Sequence, residues 1–157
     1  GTRPLLVEIQ ALVGTTPYPA PRRIANGVDT GRVLQILAVL EKRIGLNLSK
    51  QDVYVNVIGG IDVTEPAADL GIALAIVTCV RDVVFDSQTA IIGEIGLSGE
   101  IRAVNQIEKR INEAQKLGFK RIIVPASNEI QEEFKGIEIV KVKRILEAIT
   151  RGIKYDN

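Results

Sequence analysis

Histidine and methionine are absent from the chain, and cysteine occurs once, at Cys79. Without histidine there can be no Ser-His-Asp triad, no Cys-His pair and no His-based metal centre, and one cysteine cannot build a zinc cluster. The glycine-rich run ending in Lys-Ser or Lys-Thr that cradles nucleotide phosphates is missing as well. Any catalysis must therefore use Ser, Thr, Cys, Lys or a carboxylate as nucleophile, with Lys or a carboxylate as base. No uncharged run approaches the roughly 18 residues needed to cross a bilayer, and no signal-peptide pattern precedes "TRPLLVEIQALV". A chain that opens at Gly1 without Met reads as a single domain, residues 1–157, cut from a longer protein. The expected setting is soluble and cytoplasmic. Cys79, inside the apolar run "AIVTCVRD", reads as an unreactive buried thiol.

What is present favours one packed domain. A chain of 157 residues that is 46% hydrophobic can bury about two thirds of the surface its unfolded form exposes. The net charge of +1 conceals a strong asymmetry. Residues 1–50 carry 7 basic and 3 acidic side chains, residues 51–100 carry 1 and 8, and residues 101–157 carry 12 and 8. Basic flanks around an acidic middle fit either a face for a polyanion or attraction between neighbouring subunits.

Periodicity places the elements. "PLLVEIQALV" reads as a strand, and "GTTPYPAPRRIANG", with three prolines and two glycines, as a long loop. Val33, Ile36, Leu37, Leu40 and Ile44 recur at helical spacing, with Asp29 or Thr30 as N-cap and Gly45 beyond the C-terminus. "DVYVNVIGG" is a strand with Val53, Val55 and Val57 on one face, stopped by the Gly-Gly. Pro66 to Val80 is apolar nearly all round except at Asp69, which predicts a helix buried against more than one layer. "TAIIGEIGLSGEIRAV" reads as two strands turned at "LSGE", and "NQIEKRINEAQKLG" as a helix with Asn105 as N-cap, Glu108 completing a capping box and Gly118 as C-cap. "RIIVP" is a strand, "SNEIQEEF" a short helix, "GIEIVKV" a strand and "RILEAIT" a closing helix. The alternation of strands and helices, with the hairpin around Ser98, predicts a mixed sheet packed with helices in one α/β or α+β domain, and α+β is the class taken here.

The candidate residues are few. Ser49, Ser87, Ser98 and Ser127 sit in turns or before a helix, where capping is their ordinary use. Asp69 stands in the first turn of the apolar helix, where the helix dipole favours an acid by about 0.3 to 1 kcal/mol. It reads either as such a structural acid or as an acid-base group, with Glu108 as its candidate second carboxylate, a pair that could also hold a divalent metal.

"NVIGGIDVTEPAADLGIALAIV" followed by "GEIGLSGEIRAVNQIEKRINEAQKLGFKRIIVP" resembles the proteolytic domain of Lon-type proteases, whose catalytic pair is a Ser and a Lys. In that family the Ser lies two residues before a Gly at the start of the buried helix, which here is Asp69 before Gly71. The Lys position corresponds to Glu108; Lys109 is one residue late, which on a helix turns the side chain by about 100°. The whole chain, from "GTRPLLVEIQALV" through "APRRIANGVDTGRVLQILAVL" to "GFKRIIVPASN", also resembles the C-terminal Lon-like domain of the RadA (Sms) family of bacterial DNA-repair proteins. That resemblance implies a Lon-like fold without protease activity, joined in the full protein to a zinc finger and a RecA-like ATPase that drives branch migration. It implies no cofactor in this domain, with ATP, Mg²⁺ and Zn²⁺ confined to the other domains. It further implies a homo-oligomer, expected as a hexameric ring, that helps hold single-stranded or branched DNA. Arg22, Arg23 and Arg32 are the expected DNA contacts, because a loop entering a helix can offer guanidinium forks to phosphates; pairing with acidic neighbours is the other use for those charges. An active Ser-Lys peptidase using Ser98 is the alternative reading.

Overall fold

The computed structural model describes residues 5–59 and 66–154. Gly60 and Glu65, in the segments expected to end a strand and to lead into the turn before Asp69, lie outside the described residues. The chain folds as an α+β domain with a mixed sheet packed with helices, as expected, and among the described residues its strands fall into four small sheets, one of them mixed. The first has the order β1-β3-β2, with β1 at Glu8–Thr15, β2 at Arg23–Asn26 and β3 at Gln51–Ile58. β1 runs antiparallel to β3 and β2 parallel to it. β2 is a correction, since it falls in the Pro-rich segment read as loop. Its short edge position suits a sequence rich in proline just upstream, because an edge strand needs ladder partners on one side only. Gly27 follows at φ 78°, and a Cβ there would stand 2.2 Å from the Val57 carbonyl oxygen, so the chain leaves β2 where only glycine fits.

Asp29 caps α1 (Thr30–Val39), its side chain accepting from the Arg32 backbone N–H. A single π turn, Leu40–Ile44, extends the helix to Gly45, which is left-handed at φ 80°. A 3₁₀ turn at Pro66–Ala68 opens α2 (Asp69–Arg81), which packs against β1, α1 and the closing helix as its all-round apolarity predicts. β4 (Val84–Phe85) pairs with a terminal strand, β10 (Ile153–Lys154), that was not expected. β5 (Thr89–Ile91), β8 (Arg121–Pro125) and β9 (Glu138–Val142) form a parallel sheet in the order β5-β8-β9, and β6 (Glu94–Ile95) and β7 (Ile101–Arg102) form the hairpin turned at "LSGE". The closing helix is α4 (Ile145–Gly152).

Two apolar clusters share β8. Ile123 faces the cluster of α1, α2, α4 and the inner side of β1-β3-β2, whereas Ile122 and Val124 face α3 (Ile107–Lys116). Alternate side chains of one strand thus serve two cores, as in parallel sheets covered on both faces. Two local predictions fail around α3. Gln106, not Asn105, precedes the helix, left-handed at φ 55° and without a side-chain cap. Asn105 is occupied otherwise: its carbonyl and side-chain oxygens accept from the fully buried Arg110 at 2.8 and 2.7 Å. The short helix expected at "SNEIQEEF" is absent. Asn128 there exchanges two hydrogen bonds with the Val104 backbone, at 3.0 and 2.9 Å, and Ile130 and Phe134 pack on the α3 cluster, so tertiary ties override a weak helical pattern. Arg110 and Glu113 also clip the start of the described chain. Arg110 Nη1 donates to the Leu5 carbonyl at 2.9 Å, and Glu113 Oε2 accepts from the Leu5 and Leu6 N–H groups at 2.8 and 2.5 Å. Among the described residues no helix is long and apolar enough to cross a membrane.

Candidate functional site

Three chain segments meet at Asp69. The 3₁₀ turn delivers it to the first position of α2, and β6 docks across that helix start, with the Leu70 N–H donating to the Gly93 carbonyl and the Gly93 N–H to the Ala67 carbonyl, both at 3.0 Å. The Ile95 N–H donates to Asp69 Oδ2 at 3.1 Å. From the first turn of α1, Arg32 grips both oxygens, Nε to Oδ1 at 3.3 Å and Nη2 to Oδ2. Asp69 is 2% exposed. Its burial pushes the carboxyl up from the ordinary range; the Ile95 N–H and the Arg32 guanidinium act against that shift. A carboxylate whose two oxygens already accept three donors is a fixed anion that ties α1, α2 and β6 together. The first-turn position read from the sequence is the one observed, but Asp69 does not cap the helix; its side chain serves a partner about 37 residues away in the chain, which the sequence did not suggest.

Glu108 is not brought to it. Its Oε2 accepts from the Glu132 N–H at 3.1 Å, so it fastens the irregular 126–137 segment to α3 and completes no capping box. Asp69 bonds to Arg32 and Ile95 and Glu108 to Glu132, and among the described residues no three His, Cys, Asp or Glu side chains are grouped to hold a metal. Ser98, the alternative nucleophile, donates its hydroxyl to Glu100 Oε1 at 2.8 Å at the hairpin tip. Lys109 is exposed.

The three arginines singled out are each engaged within the chain. Arg22 pairs with Asp52 at 3.2 Å, donates its N–H to the same carboxylate at 2.7 Å, and lies over the Tyr18 ring. The Arg22 N–H holds the Asp52 carboxyl below its usual range. Arg23 donates to the Leu48 carbonyl at 2.8 Å and to the Gln51 carbonyl, lacing β2 to the turn before β3. Arg32 belongs to Asp69. Of the three, Arg22 keeps half of its side chain exposed. Sequence reasoning passed over a second basic group at the hairpin tip. Arg43 donates to the Leu97 carbonyl at 3.4 Å, Arg144 donates to the Ser98 carbonyl, and Arg102 pairs with Glu100 at 3.3 Å, all three exposed. These residues lie far apart in sequence, so no local pattern joins them. A cavity of about 430 Å³ is lined by Asp86, Ser87, Gln88, Arg121 and Ile153, of which the sequence had singled out Ser87 alone.

Helices with mixed and parallel sheets, and a helix start where an acid is buried in an ion pair, define an α+β domain compatible with the Lon-like fold. The chain belongs to the family described as ChlI, subunit ChlI of Mg-chelatase, whose model matches residues 30–128. In particular, it is similar to DNA repair protein RadA of Synechocystis sp., 54% identical over 149 residues, which are 95% of this chain and 29% of that protein. It is also similar to DNA repair protein RadA of Bacillus subtilis, 50% identical over 98% of this chain and 34% of that protein. The RadA of Escherichia coli is 47% identical over 96% of this chain and 33% of that protein. The chain therefore spans about a third of the length of these relatives, and corresponds to a C-terminal part of them.

Proposed function

We propose that the chain is a non-catalytic assembly and DNA-associated domain of a RadA-like DNA repair protein. The observation that carries the non-catalytic part is Asp69: where the Lon-type pattern places a serine, this chain has a carboxylate saturated by Arg32 and the Ile95 N–H. The other half of the pattern, Glu108, accepts a backbone N–H and offers no amine. A nucleophile needs an unengaged base within hydrogen-bond reach, and Ser98 has a carboxylate acceptor that already takes a second N–H, from the Ser98 backbone, at 3.1 Å. The names of the relatives support the repair context. In this reading the domain assembles into a homo-oligomeric ring of six, and the ATP, Mg²⁺ and Zn²⁺ chemistry of branch migration lies in the zinc-finger and ATPase parts of the longer protein. DNA is held by guanidinium groups still open to phosphate, Arg22 at the β2 entrance and Arg43, Arg102 and Arg144 at the hairpin tip, with Arg23 and Arg32 positioning the elements that carry them.

Two assays test it. Casein and fluorogenic peptides should stay intact with the wild type and with Asp69→Ser, because no lysine becomes available; cleavage abolished by Ser98→Ala would overturn the non-catalytic reading. Fluorescence anisotropy with a labelled single-stranded oligonucleotide should show binding that weakens steeply with salt and with Arg22→Ala or Arg102→Ala. Absence of binding at low salt would remove the DNA part and leave the assembly part standing.

A further inference from the structure

The turn between β6 and β7 holds an apolar side chain out to solvent. Gly96, Leu97, Ser98 and Gly99 form it, closed by the Gly99 N–H donating to the Gly96 carbonyl at 3.0 Å and the Gly96 N–H to the Glu100 carbonyl at 2.9 Å. Polar groups at its crown are taken up within the chain. The Leu97 carbonyl accepts from Arg43 Nε at 3.4 Å, the Ser98 carbonyl accepts from Arg144, and the Ser98 N–H and hydroxyl both donate to Glu100 Oε1, at 3.1 and 2.8 Å. Beneath the crown the Gly99 carbonyl accepts from the Ile145 N–H at 2.9 Å. A turn fastened at this many points presents a fixed surface, and the Leu97 side chain on it is 66% exposed. An exposed leucine by itself is ordinary. This one stands among three exposed guanidiniums brought from separate segments: Arg43 from the π turn after α1, Arg102 from β7 and Arg144 from the residue before α4.

We infer that Leu97 is a wedge that enters between unstacked bases, so that the hairpin tip selects single-stranded DNA over continuous duplex. The inference rests on the DNA-associated reading above and names what its hairpin-tip site takes. Arg43 and Arg144 each donate once to a turn carbonyl, and a guanidinium carries five N–H donors, so each keeps most of its fork for a phosphate beside Leu97. Arg102 gives one bond to Glu100, the carboxylate among these three cations. Phosphate contacts of this kind fix position and carry no preference between strands and duplexes; the leucine supplies the preference. An apolar side chain pushed between base steps must part them, which costs stacking in a paired duplex and little where bases are already apart. Because the turn is ordered by its own hydrogen bonds, contact requires little further ordering. A protein partner fits less well. Interface cores are depleted of charge, whereas Arg43, Arg144 and Glu100, the side chains that grip this turn, are all charged. A base step bordered by phosphates offers the opposite arrangement, an apolar slot one side chain wide between anions.

Titration of the 157-residue chain into an oligonucleotide carrying 2-aminopurine, as a single strand and as a continuous duplex, tests the inference. Wild-type binding to the single strand should raise the 2-aminopurine fluorescence, because the probe brightens when its neighbours are moved off it. Leu97→Ser should remove that rise and weaken single-strand binding at least about fivefold, the low end for losing one base contact. Its duplex affinity, salt slope and circular dichroism should stay as in the wild type, and Leu97→Met should behave as the wild type does. Should Leu97→Ser disturb the fold, Leu97→Gln, closer in size, takes its place. Arg43→Ala gives the contrasting pattern, weaker binding to both forms with the salt slope reduced by about one. A wild type that binds neither form at low salt overturns the DNA-associated reading and this inference with it. Binding that Leu97→Ser leaves unchanged overturns the wedge alone. So does an equal loss on single strand and duplex, or a fall in assembly mass on sedimentation, either of which would make Leu97 a structural or subunit contact.

Discussion

Replacing Arg32 with Gln should expose how much the buried pair carries. Breaking a buried ion pair from one side costs about 3 to 5 kcal/mol, because the remaining charge is left uncompensated. Here the Arg32 side chain is 25% exposed and that of Asp69 3%; water can partly replace the guanidinium, which favours the low end. A loss of about 3 kcal/mol corresponds in a domain of this size to a Tm lowered by roughly 6 to 12 °C. The pH dependence is the sharper signature. Burial already raises the Asp69 pKa above its ordinary 3.8 with Arg32 in place, and without Arg32 one of the opposing influences disappears, so the shift grows. A carboxyl whose folded pKa is raised contributes stability that is full below its unfolded value and is lost as pH rises through the folded value. The variant's deficit against the wild type should therefore be largest near pH 7 and shrink as pH falls toward 4. Urea unfolding of both proteins at matched pH, with m unchanged, measures it. A deficit below about 1 kcal/mol, or one constant from pH 7 to pH 4, would refute the argument that Asp69 is a buried anion dependent on Arg32.

The hairpin tip gives a prediction of opposite sign. Hydrogen bonds from Ser98, with a contribution from Arg102, hold the Glu100 carboxyl down to about 2. Its contribution is present above the unfolded value of 4.5 and lost as pH falls toward 2. Glu100→Gln should therefore flatten the acid limb of the stability profile in that window; an unchanged profile would show that the tip is solvated. Asn128→Ala should cost about 1 to 2 kcal/mol in urea, since both Val104 backbone groups lose their partner, and hydrogen exchange should quicken at the Val104 amide.

Much of the fold was legible because its signals are local. The Asp29 cap and Gly45 bracket the first helix, the Val53, Val55 and Val57 alternation marks β3, and the all-round apolarity of α2 announces its central place. What was not legible depends on partners remote in sequence. β2 exists because β3 offers a parallel ladder 30 residues later, between Arg23 and Val53. Asn105 and Glu108 fit a capping box on paper, yet Arg110 and Glu132 compete for them and win. The site shows the same division. Asp69 stood out as an acid in an apolar helix, whereas its pairing with Arg32, chosen from sequence for phosphate, could be seen only once α1 and α2 were side by side.

The clip made by Arg110 and Glu113 on Leu5 and Leu6 bears on how the domain opens. Local unfolding proceeds in contiguous units. The stretch from β5 to β9, with α3 across it, would be such a unit if chain order alone decided the matter. The clip fastens the beginning of the described chain to this later half, so fraying of that beginning and opening of α3 are thermodynamically linked. Tension applied upstream of Leu5 would reach α3 in parallel with the β1 ladder, and the slowest-exchanging amides should span both halves of the molecule.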